Sequence, residues 1–179
     1  MKVGLIVEGD SDKEFFEKYF KPKLKRDIRV TSSGGSKSCR ILNKPAMHKD
    51  IKALIVKKCE HVFVLVDLDT KCETSGQQFT CIKKLKEWYR KKIDTDKFKN
   101  VTVVVVSKEI EAWMLSAWEN SDNKSKEDLK KHFPSKKSLN EKDLVKRFLS
   151  SEKPINHENN KSLKYFLCKI GLLKGAICI

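Results

Sequence analysis

Four short stretches of the chain are almost purely apolar: Val3–Val7, Ile28–Val30, Val62–Val66 and Val101–Val106. Their length and β-branched content predict strands buried on both faces, the pattern of a parallel sheet, not of a sheet with one wet face. Between them apolar residues recur at three- and four-residue intervals. Phe15, Phe16, Tyr19 and Phe20 form one stripe, a second helical stretch runs roughly over Ala46–Cys59, and Ile82, Leu85, Tyr89 and Ile93 form a third. Strands alternating with helices imply right-handed crossovers and an α/β fold, with a mostly parallel four-stranded sheet flanked by helices. After Val106, "SKEIEAWMLSAWE" sets Ile110, Trp113, Met114, Ala117 and Trp118 on one helix face, which reads as core packing. From Asn120 the chain becomes more polar. Ser125-x-x-Asp128 and Ser138-x-x-Glu141 have the form of helix-start boxes, with "FPSKK" and "SSEKPINHENN" as turns. The expected organisation is a domain over 1–120 and a small helical C-terminal extension over 121–179 packed on it.

Charge narrows the class of partner. Thirty-nine Lys and Arg against 24 Asp and Glu give a net charge of +15 in 179 residues, which favours polyanions such as nucleic acid over small cations. The excess is spread along the chain, and the same surplus also serves plain solubility. "TSSGGSKSCR", Thr31 to Arg40, is a Gly/Ser-rich loop that reads first as a spacer and second as a phosphate contact through its backbone and Lys37. Six cysteines, at 39, 59, 72, 81, 168 and 178, form no C-x-x-C pair and do not cluster with the four histidines. That argues against a zinc site. With no signal peptide and no apolar run near membrane-spanning length, they read as reduced thiols of a cytoplasmic protein without membrane contact.

The acids carry the candidate chemistry. In an open parallel sheet, ligands bind outside the carboxyl ends of the strands. Glu8 directly follows the first strand, Asp67 and Asp69 follow the third in "VFVLVDLDT", and Glu109 and Glu111 follow the fourth in "VVVVSKEIEAW". Asp12, four residues past Glu8, can face the same space if it lies on the first turns of its helix. Carboxylates that close repel one another unless a cation holds them together. Oxygen ligands without His or Cys select a hard ion, Mg2+ or Mn2+, one or two in number, which also binds phosphate oxygens. An acidic, metal-filled notch in a basic surface suits cleavage of a phosphodiester in nucleic acid. Each acid has a plainer reading too: Asp12 after Ser11 suits a helix cap, and Glu109 and Glu111 lie about 200° apart on a helix, so only one of them would point inward.

These motifs resemble the TOPRIM domain, shared by topoisomerases, bacterial primases and the overcoming-lysogenization-defect (OLD) family of nucleases. The resemblance rests on "LIVEGDSD" as the glutamate motif and "VFVLVDLDT" as the D-x-D motif, and covers roughly 1–120. With Asp12 and "EIEAWML", it is closer to the OLD-like and small stand-alone TOPRIM proteins. It implies a Rossmann-like fold, Glu8 as a metal ligand or general acid/base, Asp67 and Asp69 as Mg2+ ligands, and Asp12, Glu111 and Glu109 as a second metal site. It also implies a C-terminal lysine that stabilises transition-state charge, for which Lys136, Lys137 and Lys161 are candidates. The chain departs from the pattern in having no nucleotide-binding loop of the G-x-x-x-x-G-K form and no tyrosine in a topoisomerase context. Activity could therefore call on a partner ATPase, and strand rejoining is unsupported.

The expected function is a divalent-metal-dependent nuclease, an endonuclease or nickase acting on DNA more readily than RNA. A role in phage defence or DNA repair is implied by the resemblance alone. The alternative is a non-catalytic nucleic-acid-binding or assembly module of the same fold, working with a partner ATPase. A third reading, a haloacid-dehalogenase-like phosphatase with Asp67 as nucleophile, wants Thr or Val where this chain has Lys71.

Overall fold

The computed structural model describes residues 2–24, 27–34, 40–68, 71–72, 77–94, 97–135 and 138–173. Two compact units divide the chain, 1–105 and 106–179. The composition shift at Asn120 therefore falls inside the second unit.

The first unit is built on a four-stranded, all-parallel sheet flanked by helices, a Rossmann-like arrangement. Its strands are β1 (Val3–Val7), β2 (Ile28–Ser32), β3 (His61–Asp67) and one over Val101–Val106, and the spatial order places β1 and β3 at the centre, with β2 on one edge and Val101–Val106 on the other. All five residues of β1 are buried, which is why its sequence shows no alternation. Register is set on both sides of β1: Val3 pairs with Ile28 and His61, and Ile6 with Thr31 and Val64.

Helix α1 (Asp10–Phe15) continues through a π-helical turn, Phe16–Phe20, into the short α2 (Lys21–Lys23). The four aromatics read as one stripe are all buried, Phe15 stacking on Tyr19 and Phe16 on Phe20. Helix α3 (Lys44–Val56) begins at Asn43, whose side chain accepts from the Ala46 amide at 3.0 Å, slightly earlier than the sequence pattern placed it. It buries Met47, Asp50, Ile51 and Leu54. The buried Asp50 is held by a forked pair from Arg40, at 3.1 and 2.7 Å, which ties the preceding 3-10 turn, Arg40–Leu42, to the helix. Gly4 lets α3 come close to the sheet, since a Cβ there would lie 2.9 Å from Leu54 Cδ1 and 3.2 Å from Leu54 Cβ.

Between β3 and the last strand lie β4 (Lys71–Cys72) and β5 (Gln77–Gln78), a two-stranded antiparallel pair that no apolar run announced. Helix α4 (Ile82–Trp88) follows and runs on through a second π-helical turn, Tyr89–Ile93. Leu85, Tyr89 and Ile93 join Ile6, Val64, Val66 and Ile51 in one buried cluster. The closing strand, numbered β6, is Val101–Val106.

The second unit is helical. It contains α5 (Glu111–Leu115), α6 (Lys126–Lys131), α7 (Glu141–Ser150), a 3-10 turn, His157–Asn159, and α8 (Lys161–Lys169). Trp113 is fully buried, stacks on Phe166 and donates to Ser162 Oγ at 2.8 Å, so its packing role holds. The Ser125/Asp128 box starts α6 as expected. Ser138/Glu141 does not start α7. That helix begins two residues later, at Asn140, whose Oδ1 accepts from Asp143 N at 2.9 Å; this register turns Leu144, Val145 and Phe148 into the core. The cysteine reading also needs correction at one position, because Cys168 is disulfide-bonded, whereas Cys59 and Cys81 are free thiols. Among the described residues no helix is long and apolar enough to cross a membrane.

Candidate functional site

A strand order that places β1 between β2 and β3 has a topological switch point beside β1. The chain leaves β1 toward one edge and returns on its other side, and in open parallel sheets the place for a ligand at such a point is outside the carboxyl ends of the two strands, here β1 and β3. Glu8 is the first residue past β1, and Asp67 is the last residue of β3. The two meet there: the backbone amide of Asp67 donates to Glu8 Oε1 at 2.9 Å. This contact fixes the Glu8 carboxylate against the end of the neighbouring strand and brings two carboxylate-bearing residues together at the switch point.

The loop after β2 adds to the same edge. Ser33, almost fully buried, donates from its amide to Val7 O at 2.8 Å and from its hydroxyl to Glu8 O at 3.1 Å. Ser32 Oγ donates to Asp10 Oδ1. Both serines lie in the stretch read as a spacer. Their only signal in the sequence was position, just after a strand on the functional edge. Tyr89 lies beneath: its hydroxyl donates to Ile41 O at 2.7 Å, and burial, with the charge of Glu8 adding, holds its phenol well above the ordinary tyrosine value.

Asp12 does what its alternative reading expected. Its Oδ2 accepts from Gly9 N at 2.9 Å and closes the N-terminus of α1. Glu109 and Glu111 belong to the second unit. There Glu109 accepts from the Lys126 amide through Oε1, with Lys126 Nζ 4.0 Å from its Oε2. Glu111 is buried on the first turn of α5. The Lys126 ammonium is held above its ordinary value, chiefly by its hydrogen bond to Glu141, with the charges of Glu109 and Glu111 contributing. Lys161 is strongly exposed and sits 3.4 Å from Asp122 Oδ2. Asp69, Lys37, Lys136 and Lys137 lie outside the described residues.

Glu8 and Asp67 offer hard oxygen donors, the chemistry that suits Mg2+ or Mn2+. Among the described residues, no group of three or more His, Cys, Asp or Glu side chains is arranged to hold a metal ion. The described donor set is thus a pair, and the D-x-D partner Asp69 falls beyond it.

No curated protein and no solved structure matches the chain. One family model does, over residues 7–167, a span that takes in both Glu8 and Asp67 and most of the second unit. Its description is a domain of unknown function, DUF4276, and the chain belongs to that family.

Proposed function

We propose that the chain is a divalent-metal-dependent phosphodiesterase acting on nucleic acid, with its centre at the Glu8–Asp67 junction. The observation that carries this reading is the hydrogen bond from Asp67 N to Glu8 Oε1, which unites the two acidic motifs at the switch point of a parallel sheet. The likeness of "LIVEGDSD" and "VFVLVDLDT" to TOPRIM motifs and the net charge of +15 support it.

In this reading Glu8, Asp67 and Asp69 hold Mg2+ or Mn2+. A bound ion would neutralise phosphate charge and acidify a water. The protein's own part is to orient: the Asp67 amide sets one oxygen of Glu8, and Ser33 pins the backbone of Glu8 from the β2 loop. Each fixes the donor before substrate arrives, so less ordering remains for the bound state.

A second reading has its own observation. Asp12 caps a helix and Glu109 meets a lysine, so two of the acids expected around a second ion have structural work in the fold. That favours a site with one ion, or a binding module without catalysis.

Incubation of supercoiled plasmid, single-stranded DNA and RNA with Mg2+ or Mn2+, beside Glu8→Gln and Asp67→Asn, separates these. The expected result is metal-dependent cleavage that falls by about 100-fold or more in either variant, the scale of losing a positioned catalytic group. Equal survival of every substrate with wild type and variants, while nucleic acid is still bound, would establish the module instead.

A further inference from the structure

The helical stretch 82–93, "IKKLKEWYRKKI", carries six basic residues and one acid. Its apolar side is spent on the core: Leu85, Tyr89 and Ile93 are buried. Lys83, Lys84, Lys91 and Lys92 are exposed. The π-helical turn Tyr89–Ile93 matters here. An extra residue per turn brings Lys91 and Lys92 back over the side of Lys83 and Lys84, while Ile93 stays on the core side with Leu85 and Tyr89. The result is a basic ridge about 13 Å long from Lys83 to Lys92 at 1.5 Å per residue.

The lysines of α6 are used differently. In α6 each lysine has an acid within hydrogen-bond reach: Lys126 with Glu141 at 2.8 Å, Lys130 with Glu127 at 2.6 Å and Lys131 with Asp128 at 2.7 Å. Among the described residues, Lys83, Lys84, Lys91 and Lys92 have no such ion pair. Glu87, four residues past Lys83 and four before Lys91, is the one acid on this side of the helix. Four cations against one carboxylate leave a net positive face whose charges repel one another, and a polyanion laid along it relieves that repulsion.

We propose that this ridge of Lys83, Lys84, Lys91 and Lys92 binds the phosphate backbone of double-stranded nucleic acid without regard to sequence. Three features choose this occupant. The ridge is long enough to span more than one phosphate of a duplex, whose charges recur about every 1.7 Å of axis over both strands. The aromatic residues of the stretch are turned inward, Tyr89 into the core and Trp88 edge-on to Phe79 and Tyr89, so no platform is offered for stacking single-stranded bases. An anionic membrane surface would call for large apolar side chains between the lysines, and only Ile82, at the helix start, is an exposed large hydrophobe here. The choice of nucleic acid among polyanions rests on the phosphodiesterase reading; the ridge itself does not.

The test is anisotropy of a fluorescein-labelled DNA duplex titrated with the full chain in EDTA over a series of salt concentrations. Because no metal is present, loss of binding here and loss of cleavage in the metal assay are separate results. The variant Lys83→Gln/Lys84→Gln/Lys91→Gln/Lys92→Gln is expected to bind at least about tenfold more weakly, with the slope of log K against log salt reduced by about 0.9 for each phosphate that is no longer neutralised. Lys126→Gln/Lys130→Gln/Lys131→Gln is expected to stay within about twofold of wild type, as its lysines are already paired. Thermal melts of both variants report that the fold is kept. The proposal is overturned if the first variant keeps wild-type affinity and slope or if single strands bind much more tightly than duplex. It is equally overturned if the protein binds vesicles of anionic lipid and leaves the duplex unbound.

Discussion

Two helical stretches, 82–93 in the first compact unit and α6 in the second, carry their lysines in opposite ways, and the units around them bury their chains differently. The first rests on a sheet whose central strand is buried along its full length, with α3 pressed close enough that Gly4 has no room for a side chain. Its acidic motifs meet through a backbone amide, and Lys83, Lys84, Lys91 and Lys92 stand without ion pairs among the described residues. The second unit is a set of short helices, each too short to be stable alone. Their ends are closed by side chains: Asp128 at the start of α6, Asn140 and Asp143 at α7, and Asn160 at α8. The lysines of α6 are matched by neighbouring acids. The same basic excess therefore has two meanings. Where each lysine has a carboxylate partner it serves local structure, and where lysines stand together it is available to a ligand.

The contrast can be broken from either side. The largest effect is expected from Gly4→Val in the first unit, where two methyl groups would be driven toward Leu54 and Val62. Overpacking of this kind costs about 1–3 kcal/mol. Denaturant unfolding measures it, and a loss below the range for this variant would show that α3 can shift and that the close approach is not a constraint. A smaller effect is expected from Asp128 in the second unit. Lys131 foremost, then the Ser125 amide, hold its carboxyl down to about 2 from an ordinary 3.8. A depressed folded-state value means that the contribution is complete above 3.8 and is lost as pH falls toward 2. The stability difference between wild type and Asp128→Asn should thus shrink as acid is added. A difference that stays constant over that window would mean that the box is held by geometry and not by charge.

Much of the fold could be read from the chain's residues alone. The four apolar runs became the four strands because a parallel sheet buried on both faces leaves no other pattern, and the aromatic stripe from Phe15 to Phe20 became a buried face. The pair β4 and β5 escaped because two-residue strands of Lys, Cys and Gln have neither length nor periodicity. The start of α7 was misplaced because Ser138 and Asn140 are both good caps, and only the burial of Leu144, Val145 and Phe148 decides between them. The π-helical turns escaped for a related reason, since aromatic spacings of three and four residues fit an α-helix equally well. At the site, the positions of Glu8 and Asp67 after their strands were legible. Their contact was not, because it depends on which strands are neighbours and in what register. The lysine partner of Glu109 depends on a residue 17 positions further along the chain, which no local pattern reveals.

The central claim, that Glu8 and Asp67 hold a divalent cation, is tested most directly by titrating the full chain with Mn2+ and following free ion by electron paramagnetic resonance. Saturable binding is expected for wild type, and its loss in Glu8→Gln/Asp67→Asn. Mn2+ bound equally by the double variant, or not bound by wild type with or without duplex DNA present, would contradict it.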